Sequence, residues 1–537
     1  MCSRKETLGL GSQEASDDLK SSGNNDSLVP KDSPVNKEPM TNKYSVSNGD
    51  SIPNQDSMGD KASVREDSSN RCASAEGSLT DGDFSLESYS FYLPEEQIAQ
   101  HPAPQRGTSR LLVVHKGTAP LQLEEKVFSD ILDVLPENCL LVANNSRVVP
   151  ARLMGKRASG GKVEFLLLSP LPLLTPCTLS LEECQRYGFG AECGGVLDEA
   201  TQGRQEDFGQ STAGHNSTGN SAETWQYAEA QGLLRSSKQV KIGEVLQFSP
   251  DLYVEMLERH DFGRSQVRLL WRGDLHAILD REGSLPLPPY IKRPRTEEGE
   301  VQGASGGWGS DGERYQTIYS SESKAGSVAA PTAGLHFTPE LRERVMSSGR
   351  EWVEATLYVG YGTFSPVRED DIRKHVMHAE YVELSATAAT AINKAKSEGR
   401  PVIPIGTTSV RILEGVYRAL YGENVEGVFS ACVVEGKEGQ AEACVKKADS
   451  TASLAQSQAL PLGQKLSAYS GWINLFLYPG ETFYLADGLI TNFHLPGSSL
   501  LMLVSAFAGR ENILEAYDYA VKHGFKFFSY GDSMFIY

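Results

Sequence analysis

No hydrophobic run in this sequence is long enough to cross a bilayer. The most apolar stretch, LLMLVSAFAG at 500–509, is half the span of about 20 residues that a membrane helix needs. No apolar core follows the N-terminus, so a secretory signal is not expected there. Cysteine is scarce: eight in 537 residues, with no C-x-x-C pair. That argues for a reducing compartment and against a zinc ribbon or a disulfide scaffold. Neither a Walker motif nor GxGxxG occurs, so the usual phosphate-cradling fingerprints are missing. The first residues are rich in Ser, Asn and acids and poor in Arg, unlike an organelle transit peptide. A cytoplasmic protein without a membrane segment is expected, with an organelle left open.

A formal net charge of −19 by itself argues against a nucleic-acid partner, but its location matters. Segments 1–85, 186–232, 296–313 and 421–452 carry −6, −5, −5 and −3, so the rest of the chain is neutral. These segments are rich in Ser, Gly, Glu, Asp or Gln and lack hydrophobic periodicity, as tails and long surface loops do. A neutral core can still present a local basic patch to RNA.

Two textures divide the remainder. Between about 151 and 285 the pattern has period two: GKVEFLLL, Val240 and Ile242 in KQVKIGEVLQF, DLYVEMLE and SQVRLLWRG. Short alternating strands predict a small antiparallel barrel or sandwich, with 176–230 as a long loop. From about 286 strands alternate with helices. Thr338-Pro339-Glu340 is a cap, a first-position proline and an acid suited to the helix dipole. VEATLYVGYGTF (353–364) reads as a strand. PVIPIGTTSVRILEGVYRAL (401–420) runs from a strand through Gly-Thr-Thr into a helix with Val410, Leu413, Val416 and Leu420 on one face. Such turns leave backbone N–H groups for an anionic ligand.

Several polar groups stand out against this frame. Asn492 and His494 lie in a turn directly before the apolar helix that Ser498 or Ser499 would cap. His336 precedes a helix N-terminus, where the dipole favours neutral imidazole, suited to general-base work or simply packed. His375, His378 and Glu380 have a spacing that a metal can use, though HxxH pairs arise often by chance. Arg411 and Glu414, three apart on a helix, ordinarily form a surface ion pair. The end of the chain, FFSYGDSMFIY, is apolar enough to be tied down, with Asp532 in a turn.

Taken in order, YSFYLPEEQIAQHP, NNSRVVPARL, GGKVEFLLL, LPLPPYIKR, GSVAAPTAGLHFTPEL, TLYVGYGTFSPV, HVMHAEYVEL, IGTTSVRILE, LITNFHLPGSSLLMLVSAFAG and FFSYGDSMFIY carry a resemblance. The chain resembles the S-adenosylmethionine:tRNA ribosyltransferase-isomerases of queuosine biosynthesis over most of 89–537. The resemblance implies an α/β domain built from the N- and C-terminal parts, with an inserted small antiparallel β-barrel. The resulting division is a disordered tail (1–85), the first part of the α/β domain (86–150), the barrel (151–285) and the second part (286–537) with loops at 296–313 and 421–465.

The implied reaction moves the ribosyl part of S-adenosylmethionine onto 7-aminomethyl-7-deazaguanine in a tRNA anticodon. It gives epoxyqueuosine and releases adenine and methionine. S-adenosylmethionine is then a co-substrate, no metal is required, tRNA is the partner, and the enzyme is expected to be a monomer. Proton removal next to the sulfonium needs a base, for which the candidates are His336, His378, His494 and Glu380. Asp532 or Asn492 would assist the departure of adenine. Thr332 is a further substrate-site candidate. Thr407, Thr408 and Arg411 would hold the methionine carboxylate, and Tyr315 and Gln316 would stack on and bond a ring. Arg147, Arg152, Lys292 and Arg293 would contact phosphates. Two departures from the family pattern stand out: Asn145 and Ser146 where Asp and Thr are usual, and Ile473 and Asn474 where Thr and Asp are common. They leave open a second reading, a chain that binds tRNA or S-adenosylmethionine without transfer.

Overall fold

RLLVVH, LLVAN, VIPI, LITN and SMFI are short segments with almost no charge, the composition of strands covered on both faces. In the computed structural model they form the middle of one nine-stranded sheet. The described residues are 79–189, 224–260, 263–293, 309–360, 362, 367–421 and 465–537. Along the sheet the strands are ordered Tyr469–Ile473, Glu380–Leu384, Glu351–Leu357, Leu140–Asn144, Val402–Ile405, Leu489–Asn492, Ser533–Ile536, Arg110–His115 and Gln122–Val127. The four from Glu351–Leu357 to Leu489–Asn492 run parallel. The edge strand Gln122–Val127 carries Glu124, Glu125 and Lys126, charges that discourage edge-to-edge pairing.

Alternation sends Leu111 and Val113 to one face and Leu112 and Val114 to the other. One face is covered by helices Ala386–Ser397, Thr407–Tyr421, Ser499–Ala508 and Arg510–Lys522. The opposite face packs on Phe128–Asp133 and Pro339–Ser347, the latter capped where Thr338 Oγ1 accepts from Leu341 N–H at 3.1 Å. This is the α/β domain built from both ends of the chain: first-part strands pair with strands of the second part and with Ser533–Ile536.

Between the two parts lies a six-stranded antiparallel barrel. Arg152–Arg157 pairs Lys162–Leu167, then Trp225–Ser236, Arg264–Arg272, Leu252–Arg259 and Val245–Ser249, which returns to Arg152–Arg157. Closure leaves no open edge. Phe165, Leu246, Val254, Met256, Val267 and Leu269 fill the interior. Gly232 makes room for this filling, since a Cβ there would stand 2.0 Å from Phe165.

Several elements differ from the sequence reading. Val240 and Ile242 do not alternate in a strand: the strand starts at Val245, after a turn in which Gly243 takes φ +78° and Ile242 is exposed. VEATLYVGYGTF is strand only to Leu357, in Glu351–Leu357. Segment 176–230 is not all loop. Ser180 and Glu183 form a reciprocal capping box on helix Leu181–Tyr187, and a strand begins at Trp225. Likewise 296–313 includes most of helix Gly309–Arg314. Order also begins before 86: Asp83 accepts from Thr80 and lies 3.3 Å from Arg510, while Tyr89 OH donates to Asp83 O at 2.6 Å. The rest of the expected tail, 1–78, and segments 190–223, 294–308 and 422–464 lie outside the described residues.

Candidate active site

The parallel strands end together at Asn144, Leu357, Ile405 and Asn492, and the region beyond such ends is where open α/β sheets bind ligands. Two cavities lie there, on opposite sides of one strip of chain: Val359 lines the first, and Tyr358 and Gly360 line the second.

The first cavity has a volume of about 80 Å³ and includes Thr332, Thr407, Thr408, Asn492 and His494. Gly406, at φ +86°, turns the chain from strand into helix Thr407–Tyr421. Thr407 and Thr408 therefore sit in the first helical turn, where backbone N–H groups lack intrahelical acceptors. Thr408 Oγ1 and Asn492 Oδ1 are buried and have no hydrogen-bond partner. The Asn492 amide nitrogen donates to His336 Nε2 (3.0 Å) and to the carbonyls of Phe528 and Asp532 (3.2 and 3.3 Å). The two carbonyls can only accept, which fixes the amide orientation and leaves His336 Nε2 to accept as well. His336 must then donate from Nδ1 to Ser109 Oγ at 2.7 Å. With both nitrogens engaged, His336 is a strut behind Asn492 and lines neither cavity. Burial, and secondarily the Arg106 cation, hold its pKa down at about 3. His494 bonds Thr491 Oγ1 through Nε2 (2.9 Å), and burial lowers its pKa to about 3.

The second cavity is a crevice of about 300 Å³ between barrel and sheet. The barrel contributes Ser169, Glu229, Gln231, Arg264 and Gln266; the sheet side contributes Tyr358, His378, Glu380, Tyr381 and Trp472. His378 is half-buried, with its pKa lowered chiefly by burial and then by Arg264, against the opposing pull of Glu380.

One buried ion pair joins the two. Glu380 accepts from Gly360 N–H at 3.0 Å and from Arg411 Nη1, and Arg411 rises from the helix whose first turn lines the first cavity. Arg411 Nε and Nη2 have no partner. The surface pair Arg411–Glu414 is not formed, because residues 407–418 of the helix are all buried. Glu414 instead accepts backbone N–H bonds from Tyr484, Leu485 and Ala486, and burial raises its pKa.

Other sequence candidates lie away from the cavities. Asp532 accepts from Arg110 N–H and Lys526 N–H, both at 2.8 Å, and ties the C-terminal turn to strand Arg110–His115. Gln316 bonds both the N–H and the carbonyl of Val148, and Tyr315 is buried edge-on against Tyr530. Arg293 forks onto Asp311 (2.7 and 2.9 Å), Arg152 pairs with Glu164 (2.8 Å), and Lys292, largely exposed, pairs with Glu95. Arg147 reaches Ser320 Oγ at 3.4 Å. Asn145 accepts from Thr356 Oγ1 (2.8 Å), donates to Glu354 (3.3 Å), and lines neither cavity. Among the described residues, no three His, Cys, Asp or Glu side chains are grouped as metal ligands would be.

Sequence reasoning missed Arg264, Tyr358, Tyr381 and Trp472. The one usable signal was Trp472 and Tyr381, two aromatics that become cross-strand partners.

A family model described as "Queuosine biosynthesis protein" matches residues 86–536. A protein of Nitratidesulfovibrio vulgaris (strain DP4), named S-adenosylmethionine:tRNA ribosyltransferase-isomerase, is 45% identical over 460 residues, covering 85% of this chain and 98% of that one. A protein of the same name from Oleidesulfovibrio alaskensis is 45% identical over 472 residues, covering 88% and 98%. The crystal structure of S-adenosylmethionine tRNA ribosyltransferase from Thermotoga maritima is 25% identical, covers 85% of this chain and all of that one, and superposes with a TM-score of 0.36.

Proposed function

The chain belongs to the queuosine biosynthesis protein family, and from that premise we propose that it is an S-adenosylmethionine-dependent ribosyltransferase-isomerase acting on tRNA. In this reading it transfers and isomerises the ribosyl group onto 7-aminomethyl-7-deazaguanine in the anticodon, forming epoxyqueuosine and releasing adenine and methionine. The observation that carries it is the Glu380–Arg411 pair, which couples the helix lining one cavity to the strand lining the other. A reaction between two substrates needs two adjoining sites.

The methionine end of S-adenosylmethionine suits the first cavity. Its carboxylate meets the first-turn N–H groups and the unpartnered Thr408 hydroxyl, and Arg411 supplies positive charge behind them. Asn492 Oδ1, an unpartnered acceptor, suits the α-ammonium. The sulfonium then lies toward the Glu380 carboxylate. His378 is the better-placed base for the adjacent proton, since it is half-buried and lines the crevice beside Glu380, whereas burial holds His494 at about 3. Of the four candidate phosphate contacts, Arg147 reaches a hydroxyl, whereas Lys292, Arg152 and Arg293 would each first have to leave a carboxylate partner.

Asn145 supports transfer over binding alone. Its amide matches Thr356 and Glu354, so the exchange of Asp for Asn removes no carboxylate from either cavity. The test is purified protein with S-adenosylmethionine and tRNA bearing 7-aminomethyl-7-deazaguanosine, read by mass spectrometry of digested tRNA with adenine followed in parallel. Epoxyqueuosine with equimolar adenine is the expected result; binding without either product would favour the lapsed enzyme.

A further inference from the structure

We propose that the crevice between barrel and sheet is the subsite for the extruded nucleobase of the tRNA, read by the barrel's Gln231 and Gln266 and stacked on Trp472. The inference rests on the transferase reading and deepens it by assigning the target base to one of the two cavities.

Four observations carry it. Enzymes that act on a base within folded nucleic acid take it into a snug pocket, stack it on aromatic faces and read its edge by hydrogen bonds. The crevice supplies both kinds of group. Tyr381 and Trp472 are cross-strand partners set at 77° with centroids 5.4 Å apart, and Tyr358 continues the wall at 6.3 Å from Tyr381. Opposite them, Gln231 and Gln266 are register partners on adjacent barrel strands, presenting two amides to one edge.

Charge agrees with a base that carries an amine. Glu229 lines the crevice beside Glu380, whose charge Arg411 already balances, and aromatic faces favour cations as well as stacked rings. Arg264, the cation in the lining, belongs to the barrel side. Trp472 is 40% exposed on the edge strand Tyr469–Ile473, so an incoming base reaches it without opening the core.

The test uses the full chain and three variants. Trp472→Ala should raise KM for the modified tRNA by about tenfold, as loss of one base–aromatic stack does, with KM for S-adenosylmethionine unchanged. Trp472→Phe should recover most of that loss. Gln231→Ala should reduce the preference for tRNA bearing the aminomethyl base over the same tRNA bearing guanine, measured by equilibrium binding without turnover. A raised KM for S-adenosylmethionine in Trp472→Ala, with that for tRNA unchanged, would overturn the assignment. So would an equal loss of binding to both tRNAs in Gln231→Ala. If the wild-type protein makes no product, the transferase reading fails separately, and the binding preference still decides the crevice.

Discussion

Glu380 and Arg411 are almost wholly removed from water, and each is the counter-charge the other requires. Glu380→Gln leaves a guanidinium buried without compensation, which should cost about 3–5 kcal/mol, seen as a lower urea midpoint. Replacing both by methionine should return much of that stability, because an apolar pair avoids the desolvation of two ions. Turnover should stay lost in both, and a double variant that turns over normally would remove the pair from the mechanism. Two histidines give a second prediction at this scale. His336 and His494 have folded pKa values of about 3 against an ordinary 6.5. Below pH 6.5 the unfolded chain therefore binds protons that the fold refuses. Their contribution to stability is full above 6.5 and is lost as pH falls toward 3, by about 1.4 kcal/mol per pH unit for each. The urea midpoint should drop between pH 6.5 and 4.5, and less steeply in His494→Gln. Neither histidine titrates in that range in the fold, so a rate that titrates there reports on neither of them.

The helix Thr407–Tyr421 does most to place the first cavity. Thr408→Val keeps the shape of the side chain and removes the hydroxyl that has no protein partner. It should raise KM for S-adenosylmethionine by about tenfold, the worth of one hydrogen bond to a charged group, and leave KM for tRNA alone. An unchanged KM for S-adenosylmethionine would move the methionine end elsewhere. The sequence made this element readable, because an apolar strand, a glycine and a helix with one apolar face are local signals. It misplaced the partner of Arg411 for an equally physical reason. A spacing of three makes Arg411 and Glu414 neighbours on a helix surface, but this helix is buried from Thr407 to Arg418 and each charge finds a partner on another element. The crevice was unreadable in advance: its lining comes from 168–170, 229–231, 233, 264, 266, 358, 360, 362, 378–381 and 472, which only the barrel's closure against the sheet brings together.

At the scale of the molecule, the division between core and tail falls earlier than composition suggests. Thr80, Asp83 and Tyr89 form a small network that reaches Arg510 on a C-terminal helix. A chain beginning at 86 loses the acceptor for the buried Tyr89 hydroxyl and the Asp83–Arg510 pair. Compared with one beginning at 79, it should be less stable by about 1–2 kcal/mol, read from urea midpoints of the two. Equal midpoints would show that the segment is an ornament of the fold.

The order of strands in the large sheet also bears on how the protein is made. Ser533–Ile536 lies between Leu489–Asn492 and Arg110–His115, so a strand from the beginning of the chain meets the rest only through one synthesised more than 400 residues later. The barrel, drawn from one continuous stretch, can close while the chain is still on the ribosome; the sheet cannot. Until the last strand emerges, Arg110–His115 waits with an apolar edge uncovered, and a nascent chain in that condition is a natural client for chaperones.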